Sequence, residues 1–98
     1  MNEQIYKILW VDDEIDLLKP YILFLEEKNY TVITFNDPYS LLNHIKVNND
    51  YDLILIDENM PGKTGLSLLS DIKSISSTTP VIMITKNEAE DIMNEAIA

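Results

Sequence analysis

Two groups of carboxylates, each at the end of an apolar run, have the composition of a cation site. Asp12 and Asp13 follow the apolar residues 8–11, and Asp57 follows the apolar residues 53–56. At a separation of about 5 Å and an effective dielectric constant of about 20, each pair of carboxylates brought together costs about 3 kcal/mol. If these three side chains meet, a divalent cation between them is the simplest explanation.

The composition indicates one globular domain with an acidic surface. The chain has 98 residues, of which 46% are apolar and 24% charged, and these values argue against disorder. A net charge of −10, with seven lysines and no arginine, argues against nucleic-acid binding, which needs a basic surface. The sequence shows no membrane-span-length apolar stretch, no signal-peptide pattern and no cysteine. Together these features favour a cytoplasmic protein that contacts neither nucleic acid nor membrane.

Strand-like and helix-like segments alternate along the chain. Short apolar or β-branched runs predict strands at residues 5–11, 31–35, 53–56 and 81–84. Apolar residues at helical spacing predict helices between and after them. The first predicted helix covers residues 15–28 and is weakened or kinked at Pro20. The second begins at Asp37-Pro38 and buries Leu41, Leu42 and Ile45, and the third is capped by Thr64 and buries Leu66, Leu69 and Ile72. The last begins at Asn87 and carries the apolar residues Ile92, Met93 and Ala96.

This alternation predicts an α/β fold, a doubly wound parallel sheet with right-handed crossovers. Ligands of such sheets bind beyond the carboxyl ends of the strands, where the strand order reverses. Asp12, Asp13, Asp57 and Thr85 all follow strand ends. If the first and third strands are neighbours, these residues share one rim of the sheet.

With these motifs the whole chain resembles the receiver domain of two-component response regulators. The residues that carry the resemblance are Asp12-Asp13, Asp57 with Met60-Pro61-Gly62 behind it, Gly65 at the start of the next helix, and Thr85. The resemblance implies the flavodoxin-like receiver fold with strand order 2-1-3-4. Residues 8–25 and 81–87 further resemble the regulators whose effector is an alkaline-phosphatase-like (PglZ) domain.

The resemblance also implies a role for each site residue. Asp57 is expected to be the phosphoacceptor, and Asp13 and Asp57 to bind Mg²⁺ directly. Asp12 is expected to hold the ion through water, the backbone carbonyl of Asn59 to be a further ligand, and the Thr85 hydroxyl to turn toward the phosphoryl group. The donor would be a histidine kinase or a phosphotransfer protein. A carboxylate nucleophile and a hard cation suit such a transfer, which needs mainly positioning and charge neutralisation.

One element of the family pattern is missing from the sequence. Receivers continue into a fifth strand, which ends in a lysine, and a fifth helix, whereas this sequence ends at Ala98. We therefore interpret residues 1–98 as a C-terminally incomplete receiver without its effector domain. It is either a fragment of a longer regulator or a chain that a partner completes. Lys86 is not expected to take the role of the missing lysine. An unpaired strand at 81–84 predicts self-association, through that strand or the fourth helix.

Two other functions remain open. A pseudo-receiver would keep the fold without accepting phosphate. A Mg²⁺-dependent phosphatase would also form an aspartyl phosphate, but those enzymes usually carry an aspartate where this chain has Asn59. Glu14 and Glu58 are expected to face solvent, and His44 has no predicted role. Gly62-Lys63-Thr64 lacks the earlier glycine of a nucleotide-binding loop.

Overall fold

Four apolar runs form one parallel sheet in the computed structural model, which describes residues 5–85. The strands are β1 (Tyr6–Val11), β2 (Tyr30–Phe35), β3 (Leu53–Asp57) and β6 (Val81–Ile84). They lie in the order β2-β1-β3-β6, and each neighbouring pair is parallel. This confirms the predicted order, with β6 as the fourth predicted strand, and makes β1 and β3 neighbours.

The first helical segment differs from its prediction. A 3-10 turn covers Ile15–Leu18, and helix α1 (Lys19–Glu27) begins after it, with Pro20 in its first turn. Proline has no N–H to donate and its ring clashes with the carbonyl four residues earlier, so it is tolerated in a first turn but not in a helix interior. The expected kink at Pro20 is therefore the boundary between two helical segments.

The remaining helices within residues 5–85 are α2 (Pro38–Val47) and α3 (Gly65–Ile75). Both begin at the predicted caps: Asp37 accepts the backbone N–H of Ser40, and Thr64 accepts that of Ser67. These side chains satisfy backbone donors that have no partner within the helix.

The segment between β3 and α3, predicted as a loop, contains a small hairpin. Strands β4 (Asn59–Met60) and β5 (Lys63–Thr64) pair antiparallel. Pro61 and Gly62 form the turn, and Gly62 has a φ of 83°. Proline followed by a residue with positive φ is the signature of a type II turn.

The core has two parts, one on each face of the sheet. Helices α2 and α3 cover one face, where Leu41, Leu42, Ile45, Leu68 and Ile72 pack against Leu9, Val11, Ile54 and Ile56. Helix α1 and the 3-10 turn cover the other, where Trp10 and Ile15 are buried with Ile8 and Leu55.

The buried face predicted for α3 was wrong at Leu66, which is 72% exposed, while Leu68 is fully buried. Leu66, Leu69 and Ile72 keep helical spacing, but the helix is rotated so that Leu68 faces the sheet and Leu69 is only partly buried.

The predicted last helix from Asn87, with its apolar residues, lies outside the described residues, as does Lys86. Among residues 5–85, no helix has the length and apolar character needed to cross a bilayer.

Replacing Asp37 with alanine is expected to lower the free energy of unfolding by about 1 kcal/mol at neutral pH. The Ser40 hydroxyl, and then the Ser40 backbone N–H, donate to Asp37 and hold its pKa below the usual value of 3.8. The carboxylate therefore stabilises the fold fully above that usual value, and its contribution is lost as the pH falls through the lower pKa of the folded state.

Urea unfolding of both proteins at a series of pH values measures this difference. It should shrink at acid pH, and Asp37→Asn, which retains a capping oxygen, should lose less than alanine at neutral pH. A difference that grows on acidification contradicts the assignment.

Candidate functional site

The three aspartates singled out from the sequence meet at the carboxyl ends of β1 and β3. Val11 of β1 is paired with Ile56 of β3, so Asp12 and Asp57 come next on adjacent strands. One carboxylate oxygen from each of Asp12, Asp13 and Asp57 lies within 4.8 Å of the others. The predicted convergence is confirmed.

Burial makes this cluster unfavourable without a counter-charge. Asp12 and Asp57 are only 4% and 3% exposed, whereas Asp13 is exposed. Water screens the repulsion between the two buried carboxylates poorly, because the effective dielectric constant falls toward the interior. Three carboxylate oxygens at this spacing, one side open to solvent, are a donor set that fits Mg²⁺, which favours hard oxygen ligands and retains several waters.

Backbone contacts hold Asp12 in place. Its N–H donates to the Phe35 carbonyl of β2 at 3.1 Å, and its own carbonyl accepts the N–H of Ile15 at 3.1 Å. The side-chain Oδ1 accepts the N–H of Glu14 at 2.8 Å. Asp12 therefore shapes the turn before Ile15 and presents a carboxylate to the cluster, two roles that are compatible because the group has two oxygens.

Asp57 is held by its neighbours in sequence and by β6. Its Oδ1 accepts the N–H of Asn59 at 3.3 Å, and the N–H of Glu58 donates to the Ile84 carbonyl at 3.0 Å. Asp57 is paired with Ile84 in the sheet, so Thr85 follows the residue directly beside Asp57. Thr85 is partly buried and reaches the same rim, as the sequence predicted.

Gly65 has a steric role that the sequence did not reveal. Its N–H donates to the Glu58 carbonyl at 2.8 Å. A Cβ on Gly65 would lie 2.9 Å from Glu58 Cα, closer than Cβ contacts occur, and 3.0 Å from the Asp57 carbonyl oxygen, which is unusually close. The start of α3 therefore touches the backbone that carries Asp57, and any larger residue at position 65 would force the two backbones apart.

Other polar residues near this rim lie outside the cluster. Glu14 and Glu58 are exposed, as predicted. His44 is partly buried, with its ring centroid 5.3 Å from that of Phe35. Among residues 5–85, only the three aspartates form a group of this kind.

The chain is similar in sequence to known proteins of one family. The family model described as the response regulator receiver domain matches residues 8–98. The chain is 37% identical over 86 residues to the transcriptional regulatory protein CpxR homolog of Haemophilus influenzae, covering 88% of this chain and 36% of that protein. It is 34% identical over 84 residues to the regulatory protein VanR of Enterococcus faecium, covering 86% of this chain and 36% of that protein. The chain spans about a third of the length of these curated relatives.

Solved structures confirm the flavodoxin-like receiver fold. A response regulator receiver domain protein from Clostridium thermocellum matches with a TM-score of 0.74 at 28% identity, over 93% of this chain and 75% of that one. The response regulator TrrA from Thermotoga maritima, solved in complex with Mg²⁺ and BeF, matches with a TM-score of 0.74 at 30% identity. That match covers 82% of this chain and 69% of TrrA.

Proposed function

This chain belongs to the response regulator receiver domain family, and from that premise we propose that it accepts a phosphoryl group on Asp57. The donor is a cytoplasmic histidine kinase or a phosphotransfer protein, which places this chain in the cytoplasm. The observation that carries the proposal is the cluster of three carboxylates within 4.8 Å, two of them buried, at the end of the sheet where ligands bind.

The cluster has the donors for Mg²⁺. Asp13 and Asp57 would bind the ion directly, Asp12 would hold it through water, and the backbone carbonyl of Asn59 would complete the protein's ligands. When bound, the ion neutralises the negative charge that gathers as an anionic phosphoryl group approaches three carboxylates.

Asp57 is the nucleophile of the proposed transfer. A carboxylate oxygen attacks the phosphorus of a phosphohistidine, the O–P bond forms as the N–P bond breaks, and the imidazole leaves with its electron pair and takes up a proton. The product is a mixed anhydride. Thr85, at the same rim, donates its hydroxyl hydrogen to a phosphoryl oxygen and so couples the new charge to the end of β6.

We propose that this domain is a phosphoacceptor in a relay and not an enzyme that turns over a separate substrate. A hydrolytic enzyme with an aspartyl phosphate needs a general acid–base group beside the nucleophile. The residue two positions after Asp57 is Asn59, whose side-chain amide does not titrate near neutral pH and so cannot serve as a general acid or base. The switched output therefore belongs to an effector domain outside this chain.

Incubation with a small acyl phosphate and Mg²⁺, followed by intact mass spectrometry, tests the proposal. The wild-type protein should gain one phosphoryl mass, and neither a chelator-treated sample nor Asp57→Asn should gain it. An equal gain in Asp57→Asn would place the acceptor elsewhere. Mg²⁺ binding without any phosphorylation would favour the pseudo-receiver.

We further propose that this chain self-associates through the β6 edge or the predicted fourth helix. Within residues 5–85, β6 is the last strand of the sheet, and its Ile82 is 51% exposed. An apolar edge strand offers unpaired backbone groups to another chain. Analytical ultracentrifugation should show a mass that rises with protein concentration, and Ile82→Lys should shift it toward the monomer. A strictly monomeric mass at high concentration contradicts this proposal.

A further inference from the structure

The β4–β5 hairpin carries the backbone that completes the site. Asn59 donates its N–H to Asp57 Oδ1, and its carbonyl is the proposed third direct protein ligand. Across the hairpin, Asn59 is paired with Thr64, and Met60 with Lys63. Any movement of the hairpin relative to the sheet therefore moves the Asn59 peptide relative to Asp57.

The hairpin is attached at its base and near its tip. At the base, the Gly65 N–H binds the Glu58 carbonyl, and Met60 is 7% exposed in the core beneath α2 and α3. Near the tip, Lys63 Nζ lies 2.5 Å from Asp71 Oδ2 on α3. The Lys63 side chain is only 17% exposed, and its hydrogen bond to Asp71 raises the pKa of Lys63, so the ammonium stays charged through the neutral range.

We propose that Lys63 is a positioning residue for the cation site, because its ion pair with Asp71 holds the hairpin against α3 and thereby fixes the Asn59 peptide beside Asp57. This inference rests on the proposed function of the site. Mg²⁺ requires near-ideal octahedral geometry with short metal–oxygen distances, so a small displacement of one ligand weakens binding. Groups that orient metal ligands through such contacts typically change metal affinity by about 10- to 100-fold.

Single substitutions in the pair separate positioning from simple charge. Lys63→Met removes a cation, so the electrostatic field alone would tighten Mg²⁺ binding; Asp71→Asn removes an anion, so the field alone would weaken it. Positioning predicts that both substitutions weaken Mg²⁺ binding, by about tenfold, the lower end for supporting contacts. The charge-reversed double variant Lys63→Glu with Asp71→Lys keeps the net charge and an ion pair, and should recover most of the loss.

The affinity is measured by calorimetric titration with MgCl₂, and hydrogen exchange of the Asn59 amide gives a second readout that needs no metal. Both single variants should exchange this amide faster than the wild type. Lys73→Met is the matched control, since Lys73 is also on α3 but binds the Thr79 carbonyl, and its Mg²⁺ affinity should not fall. Urea unfolding of each variant verifies that it is folded.

The outcomes are separable. If Lys63→Met binds Mg²⁺ as tightly as or more tightly than the wild type, or if the double variant remains as weak as the single ones, Lys63 does not position the site. If the wild-type chain itself shows no saturable Mg²⁺ binding, the proposed function fails. In that case, faster exchange of the Asn59 amide in Lys63→Met and Asp71→Asn would still show that the ion pair holds the hairpin.

Discussion

Replacing Asp57 with asparagine will abolish phosphorylation and, in the absence of Mg²⁺, raise the free energy of unfolding by about 2 kcal/mol. The substitution is nearly isosteric and removes one of two buried charges in a cluster whose carboxylate oxygens lie within 4.8 Å. In the metal-free protein those charges repel each other, so neutralising one stabilises the fold while it removes the nucleophile. Functional residues commonly make a protein less stable than a variant in which they are replaced.

Urea unfolding in chelator and in excess Mg²⁺ measures both halves of this prediction. The wild-type protein should gain stability from Mg²⁺, and Asp57→Asn should be more stable without the ion but gain little from it. Glu58→Gln is the control, because it removes the same charge from the next residue, which is exposed. If Asp57→Asn is less stable than the wild type in chelator, the carboxylates do not repel each other in the way this cluster implies.

Replacing Gly65 with alanine will lower the free energy of unfolding by about 2–3 kcal/mol and weaken Mg²⁺ binding. The added methyl would lie 2.9 Å from Glu58 Cα and 3.0 Å from the Asp57 carbonyl oxygen. Both contacts are with backbone, which has no rotamer through which to relieve the clash. The start of α3 and the Asp57–Glu58 peptide must therefore separate, and that movement shifts the Asp57 carboxylate.

Gly62→Ala separates this steric effect from the general cost of losing a glycine. Gly62 has a φ of 83°, and a Cβ added there would have no neighbouring atom within 4 Å. Its replacement should therefore cost about 1 kcal/mol through backbone conformation alone. Chemical denaturation and Mg²⁺ titration of both variants give the comparison. Equal losses of stability in the two proteins, with unchanged Mg²⁺ affinity, would show that the close contact at Gly65 is not significant.

The sheet and the cluster of three carboxylates were predictable because both follow from local patterns. Short apolar runs predicted the four strands, and their alternation with helices predicted a parallel sheet. The carboxyl ends of parallel strands all lie at one rim of the sheet. Asp12, Asp13 and Asp57 each follow such a run directly. Their convergence therefore needed only β1 and β3 to be neighbours, which the receiver resemblance implied and the structure confirms.

The features that were missed depend on contacts between distant parts of the chain. The pairing of Asn59–Met60 with Lys63–Thr64 and the ion pair of Lys63 with Asp71 depend on how the hairpin folds back onto α3. The buried face of α3 was misjudged at Leu66, because two overlapping apolar stripes have helical spacing and only the sheet decides between them. The contact at Gly65 is likewise invisible until the backbones approach.

Titration of the wild-type chain with Mg²⁺, followed by the fluorescence of its single tryptophan and by urea unfolding, tests the carboxylate site most directly. Trp10 is buried in β1, two residues before Asp12. The site predicts a saturable response and, at about ten times the dissociation constant, a gain of about 1.4 kcal/mol in the free energy of unfolding that Asp57→Asn lacks. No gain at millimolar Mg²⁺, or the same gain in Asp57→Asn, would show that these three aspartates do not form a magnesium site.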